Sequence, residues 1–485
     1  MRFLCCLLLG AAICFGQQPN RDLHKLFSDF HETSLRNSPE SATFVGRNEY
    51  NDRWSDTSPA ALQRNRAEFQ DFLKRAEPFR SAQLNEQDRL SLNIFEIQLR
   101  RSIDNIDLIG SYNAVNHFAG PHLNVVRTLT MQPASSVKDY ENLISRLNGI
   151  PKLVDGLVAS ANLALEKQTP QPKLVVEHTI RQLETQASAE AANSPLLTAF
   201  KNFPASVPVA ERTRLTKAAT DAYNNSFRSS WRKYQEYLKT QYLPKARASI
   251  GLSEVFNGKE RYAHLVKQST TTDLPPEQIH QIGKREVERI QAEMAAIRKE
   301  MNFSGTAEEF AEKVLMSPEL RFRSEQEILT HGREIAKRID PELPRLFKQL
   351  PRMPYGVRAI PPDRARTAAP YYEPPALDGS RSGNFFLRTF EPASQSKCCM
   401  EALIIHEAVP GHHLQIATAQ ELEGVPEFRK TGGFTAYIEG WGLYAESLGP
   451  ELGLYQNPLE RYGKLQSEML RAVRLVAGRG WGIPG

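Results

Sequence analysis

Glu401-Ala402-Leu403-Ile404-Ile405-His406-Glu407-Ala408-Val409-Pro410-Gly411-His412-His413-Leu414-Gln415 is the stretch on which the reading of this chain turns. Ala402 to Ile405 is an apolar approach of helical character, and it leads into His-Glu. A His-His pair follows six and seven residues after His406. Zinc peptidases commonly place two histidines four apart on one helical face, with a glutamate beside the first as base. Here Pro410 holds the position four after His406, so that spacing is broken. In a regular helix His413 would fall about 20° from His406 and roughly 10.5 Å along the axis, and His412 about 120° away. Pro410-Gly411 is where a helix would kink or bulge. Two extra residues in that turn would bring His412 to the second ligand's place. The residues alone leave His412 and His413 both open as the second ligand, with the other touching substrate or supporting the site. Three histidines and a glutamate within eight residues, from 11 histidines in 485, read as a metal-binding constellation.

A catalytic zinc site wants a third protein ligand and an open position for water. The segment FTAYIEGWGLYAE at 434–446 offers it: Glu439 lies 26 residues after His413, on a second helix at a separation that suits an antiparallel neighbour. Glu446 is one heptad further on the same face, placed to orient a ligand histidine from behind. Glu407 is then the general base. Tyr371, Tyr372 and Tyr444 are candidates to donate to a developing oxyanion, and Arg381 and Arg471 are candidates to pair with a substrate carboxylate.

Working outward, residues 22–200 read as successive amphipathic helices, with Leu23, Leu26, Phe27 and Phe30 on one face and Leu92, Phe95 and Leu99 on another. Asn148-Gly149-Ile150-Pro151 and Asn202-Phe203-Pro204 punctuate them. Val209 to Leu243 reads as one long helix whose aromatics, Tyr223, Phe227, Trp231, Tyr234 and Tyr237, form a core stripe. Pro275-Pro276 opens a helix from Glu277 to about Met301. Residues 351–392 are rich in proline, glycine and aromatics, with a short strand expected over Asn384–Thr389. The expected architecture is mostly α: a large helical body over 17–350 and a site-bearing region over 351–485 with a small β element next to the metal-binding helix.

Met1-Arg2, the apolar run Phe3–Phe15 and Gly16 have the anatomy of a secretory signal peptide at 1–16. Ile13 before Cys14 departs from the small residue a lipidation site wants, so a cleaved signal is favoured over a lipoprotein anchor. The reading is therefore of an exported protein, periplasmic or secreted, with no stable membrane insertion after cleavage. Of five cysteines, three lie in that segment and the other two, Cys398 and Cys399, are adjacent, so this is not a disulfide-built fold. They read as small residues at a helix start. A net charge of +5 in 485 residues, spread through mixed-sign helices, gives nucleic-acid binding little support.

HEAVPGHHLQ at 406–415, EGWGLYAE at 439–446 and YYEPPALDGSRSG at 371–383 resemble a bacterial family filed as domain of unknown function 885, grouped with the gluzincin-like metallopeptidases. TTTDLPPEQIHQIG at 270–283 and RAVRLV at 471–476 extend the resemblance, which spans about 22–476 as one continuous domain. It implies a largely α fold of the thermolysin or neurolysin kind, a zinc site, and peptidase activity of carboxypeptidase or oligopeptidase type. Relatives typically continue beyond RAVRLV with an aspartate-threonine-glycine segment and a histidine. Here Ala477-Gly478-Arg479-Gly480-Trp481 follows instead, so a shortened or divergent member is expected. The expected activity is hydrolysis of a peptide or small amide by zinc-activated water. The rivals are a zinc hydrolase of esters or non-peptide amides, and a zinc-binding protein without activity.

Overall fold

The computed structural model describes residues 18–110, 112–361, 365–366 and 368–481; the expected signal segment at 1–16 lies outside the described residues. Helices α1 (Arg21–Asn37), α2 (Pro39–Phe44), α3 (Pro59–Ala76) and α4 (Glu86–Leu108) open the chain. Their apolar residues recur three and four apart, so each long helix has one face to bury. Leu23, Leu26, Phe27, Phe72, Leu92, Phe95 and Leu99 bury together, and Phe428 from far downstream joins them. The Phe27 and Phe428 rings lie 5.2 Å apart, which ties the first helix to the site-bearing half.

The second core is the helical body: α5 (Pro121–Met131), α6 (Val137–Glu166), α7 (Lys173–Ser188), α8 (Val209–Ala222) and α9 (Ser229–Tyr237). The aromatic stripe is core, as read from the sequence: Tyr223, Phe227, Trp231 and Tyr234 are buried, and Phe227 stacks on Trp231 at 4.6 Å. The expected long helix runs from Val209 through Lys245 with two wider π-type turns, at Tyr223–Arg228 and Leu238–Tyr242. The expected break at Pro151 is absent. α6 continues through it, because Leu147, Ile150, Leu153, Val154 and Leu157 bury on both sides of the proline. Continuous burial of that face outweighs the one hydrogen bond that proline removes.

α10 (Gly258–Thr270), α11 (Pro276–Glu300), α12 (Ala307–Met316), α13 (Glu325–Ile339) and α14 (Leu343–Leu346) follow. A three-stranded sheet comes next: β1 (Tyr355–Ala359), β2 (Tyr371–Glu373) and β3 (Gly383–Leu387), in the order β1-β3-β2. β3 pairs parallel with β1 and antiparallel with β2, Tyr372 facing Phe385 across the ladder. Only the strand at Asn384–Thr389 is expected from the sequence; Tyr371–Glu373 also pairs, three residues being too few for a period to show. β2 is an edge strand.

The last helices are α15 (Met400–Glu407), α16 (His412–Gln420), α17 (Glu427–Thr431), α18 (Thr435–Ser447) and α19 (Pro458–Trp481). The change of texture at 350 is not a division between cores. Ile328 and Ile335 of α13 pack with Val357, Phe385, Ile404 and Ala445, and Ile290 and Phe310 pack with Tyr462 and Leu465. Among the described residues, no helix is long and apolar enough to cross a membrane.

Candidate metal centre

α15 carries His406 and Glu407 on its last turn, and its approach residues Ile404 and Ile405 are fully buried against the sheet. The helix stops there. Residues 408–411 form an irregular turn in which the His413 amide reaches back to the Ala408 carbonyl at 3.0 Å. Gly411 is required: a Cβ at that position would meet the His406 carbonyl oxygen at 2.0 Å. The indole of Trp441 on α18 donates to the Pro410 carbonyl at 2.8 Å and pins the turn from outside.

That turn settles which of the paired histidines faces His406. The His406 and His412 rings lie 4.6 Å apart, nearly perpendicular, and α18 brings Glu439 between them. Glu439 Oε2 is 3.4 Å from His406 Nε2, and its Oε1 is 3.9 Å from His412 Nε2. One ligand atom from each of the three lies within 4.8 Å of the others. α18 can approach this closely because Gly442 has no side chain, since a Cβ there would stand 2.5 Å from the His406 ring.

His413 does not join the cluster, which corrects its place among the candidate ligands. Its Nε2 donates to the Met353 carbonyl at 3.0 Å, so its Nδ1 accepts from the Tyr372 hydroxyl at 2.8 Å. Both ring nitrogens are used. Burial, above all, pushes its imidazole down to about 4, consistent with a neutral ring. Tyr372 thereby loses its hydroxyl to His413 and is not the open oxyanion donor expected of it. Its backbone lies beside the Glu407 carboxyl and works weakly against the rise that burial causes there. His413, Tyr372 and β2 thus form a strut beside the base.

Glu446 lies behind His406. It is 1% exposed and its Oε1 takes the His406 Nδ1 at 2.7 Å. Arg471 of α19 grips the same carboxylate with both Nη atoms, Nη1 to Oε2 at 3.1 Å. That commits Arg471 to Glu446 rather than to a substrate carboxylate. Arg381 donates through Nη2 to the Phe44 carbonyl at 2.6 Å, which ties the 376–382 loop to α2, while its buried Nη1 lies 4.0 Å from Glu373 without a hydrogen-bond partner. Tyr444 is half-exposed with its ring against Trp441, and Tyr371 stacks on Phe386 in the sheet.

The electrostatics follow from this crowding. Burial would lower the His406 imidazole, but the Glu439 and Glu446 carboxylates overcome it and raise it to about 9. Burial lifts the Glu407 carboxyl to about 7, against the pull of His406 and Arg471. Burial and the charge of His406 push His412 down to about 4. A protonated His406 here stands where two carboxylates call for a cation.

The family model for the bacterial proteins of unknown function DUF885 matches residues 39–481. The chain belongs to that family. Two solved structures resemble this DUF885 member. A protein from Colwellia psychrerythraea, provisionally described as a lipoprotein, superposes with a TM-score of 0.88 at 23% identity, over 95% of this chain and 83% of its own. A protein of unknown function from Shewanella oneidensis, with the same provisional description, gives a TM-score of 0.63 at 16% identity, over 94% of this chain and 82% of its own. Both show the fold. No curated protein matches the chain.

The His406, His412 and Glu439 side chains fit a zinc ion. Two imidazoles and a carboxylate form a common catalytic donor set. Ligands about 2.0–2.2 Å from a tetrahedral metal stand roughly 3.3 Å apart, close to the 3.4 and 3.9 Å seen here. His412 Nδ1 is buried with no hydrogen-bond partner, so its Nε2 is the nitrogen turned to the cluster. Glu439 is 56% exposed, which leaves a solvent-facing side for water or substrate. Sequence reasoning missed the Met353 carbonyl, which fixes the His413 tautomer; a backbone oxygen 60 residues away has no sequence signal.

Proposed function

We propose that this chain is an exported zinc-dependent hydrolase of gluzincin type that cleaves peptide bonds, as a carboxypeptidase or oligopeptidase. The observation that carries the reading is the convergence of His406, His412 and Glu439, with Glu446 behind His406 and Glu407 adjoining. His406, His412 and Glu439 would hold the metal. Bound there, zinc supplies a Lewis acid for the scissile carbonyl and acidifies a water to a pKa of about 7.

The chain's own groups do the rest. Glu407, with its carboxyl pushed up to about 7, is matched to accept a proton from that water and return it to the leaving amine. Tyr372, held by its hydroxyl to His413, stands beside the Glu407 carboxyl. Glu446 fixes the ring of His406 and leaves its Nε2 free for the metal. Export is supported by the signal-like residues 1–16 and by the lipoprotein description of both similar structures.

The test is metal content of the purified chain, paired with hydrolysis of a mixed peptide library with and without chelator. One zinc and chelator-sensitive cleavage are expected. Glu407→Gln should keep the zinc and lose turnover by about 10²–10⁴-fold. Zinc without cleavage would replace the peptidase reading with a hydrolase of esters or non-peptide amides, or with an inactive zinc-binding protein. A chain that takes up no metal would overturn the proposal.

A further inference from the structure

Cys398 and Cys399 have no part in the metal centre, yet their surroundings are specific. Both are free, Cys398 buried and Cys399 half-buried, and their Sγ atoms lie 3.7 Å apart. Gln466 of α19 turns its Oε1 to both, at 3.8 and 3.3 Å, and the Ser396 hydroxyl lies 3.0 Å from Cys398 Sγ. Cys399 is the residue from which α15 starts, and Tyr462 and Leu465 of α19 share the core that holds the pair.

We propose that Cys398 and Cys399 are a redox-active dithiol that closes into a disulfide between neighbouring residues by exchange with a small-molecule disulfide. Cys399 is the less buried residue of the two. It passes its proton to Cys398, attacks the donor as thiolate, forms a mixed disulfide and releases one donor thiolate, which takes up that proton. Cys398 Sγ, 3.7 Å away, then attacks Cys399 Sγ and expels the second. One external disulfide is reduced to two thiols, and the protein's two thiols become one disulfide, so electrons and protons balance. The contact between the two thiols, above all, holds Cys398 down to about 7 and pushes Cys399 up, so the pair shares its proton with the charge favoured on Cys398.

The product is the labile kind. Adjacent Cα atoms sit about 3.8 Å apart, below the usual range of about 4.4–6.8 Å for bridged cysteines. A strained disulfide is easily reduced again, which is the property of a reversible pair rather than a structural staple.

The full reduced chain is equilibrated in oxidised and reduced glutathione, trapped with a thiol-blocking reagent, digested with trypsin and weighed by mass spectrometry. The peptide that begins at Cys398 should appear two hydrogens lighter, with no second peptide and no glutathione attached. Cys398→Ser should instead accumulate glutathione on Cys399, because the resolving sulfur is gone. Cys399→Ser should stay unmodified while native, because Cys398 is buried, and react once unfolded in urea. Two thiols that stay free in the native chain, or a stable glutathione adduct on the unmutated pair, would overturn the proposal.

Discussion

Arg146, in the middle of α6, and Glu407, at the end of α15, are both ionisable groups held away from water, and their surroundings are opposites. Arg146 is fully buried with every nitrogen placed: Nε on the Arg53 carbonyl, Nη1 on Gln132 Oε1, Nη2 on the Pro39 carbonyl, the guanidinium over Trp54. Burial lowers it only to about 10, so it stays charged at neutral pH and acts as a knot between the α1–α4 layer and the helical body. Glu407 is raised to about 7 among His406, Glu439 and Arg471, so at neutral pH it is poised between its two states. Near it, the His412 Nδ1 and Gln415 Oε1 atoms are buried without partners. Unpartnered buried atoms also occur in and beside the body, at Thr128 Oγ1 and His117 Nδ1, and each costs stability. The contrast therefore lies in charge: Arg146 is fully partnered and stays charged, whereas Glu407 is held between its two states.

The largest expected effect tests that contrast at the paired histidines. His412→Ala should abolish stoichiometric metal binding, because it removes a ligand with no replacement in the cluster. His413→Ala should keep the metal while losing the strut to Tyr372 and Met353. Metal content of the two purified variants decides it, and the reverse pattern would show that the irregular turn has been assigned the wrong histidine. Next comes the knot. Arg146→Met takes the donor from Gln132 Oε1 and from the Arg53 carbonyl, while the Pro39 carbonyl keeps the Thr43 hydroxyl, and should cost about 2 kcal/mol or more in urea unfolding. Metal bound per folded molecule should not change. A loss of metal in this variant would mean the two regions are not separable.

The third prediction is a pH dependence carried by the body. His122 is 1% exposed, hydrogen-bonded to Gln182 at 2.9 Å, and burial lowers it to about 4 from 6.5. A histidine depressed in the folded state favours folding while it is neutral. Its contribution is therefore complete above about pH 6.5, declines as pH falls, and is gone below about pH 4, a loss on the order of 3 kcal/mol. His122→Gln should make the acid-side fall in the unfolding midpoint shallower than in the parent chain. Equal slopes would remove His122 from the account.

What was legible in the sequence divides along the same line. Helix spacing and the aromatic stripe from Tyr223 to Tyr234 gave the body, because burial of one face repeats every three to four residues and needs no tertiary information. That His406, Glu407 and Glu439 would come together was legible because the proposed metal chemistry restricts residue type and spacing. The choice between His412 and His413 was not. It depends on a turn at 408–411 whose path is set by the close approach of Gly411 to the His406 carbonyl and by the Trp441 indole. Arg381 and Arg471 were read as substrate clamps because an arginine in a loop or at a helix end carries no mark of its partner. Their partners, the Phe44 carbonyl and Glu446, lie 337 and 25 residues away. α6 running through Pro151 is the same lesson in the body, where packing overrode a local signal.

The smallest effect is the most diagnostic of how the two regions differ. Glu446 is as buried as Arg146, but its two partners, His406 and Arg471, are both ionisable and one faces the metal centre. If its place is to hold the His406 ring and strengthen it as a ligand, Glu446→Gln should preserve the fold. The amide carbonyl can still accept from His406, while the negative charge that Arg471 grips is lost. Metal affinity, measured by competition with a chromophoric chelator, should fall about 10–100-fold, or about 1.4–2.8 kcal/mol. Zinc should still bind one to one, unlike in His412→Ala. An affinity within twofold of the parent, with a lowered unfolding midpoint, would place Glu446 with Arg146 as a buried knot and leave His406 to be oriented by packing against Gly442 alone.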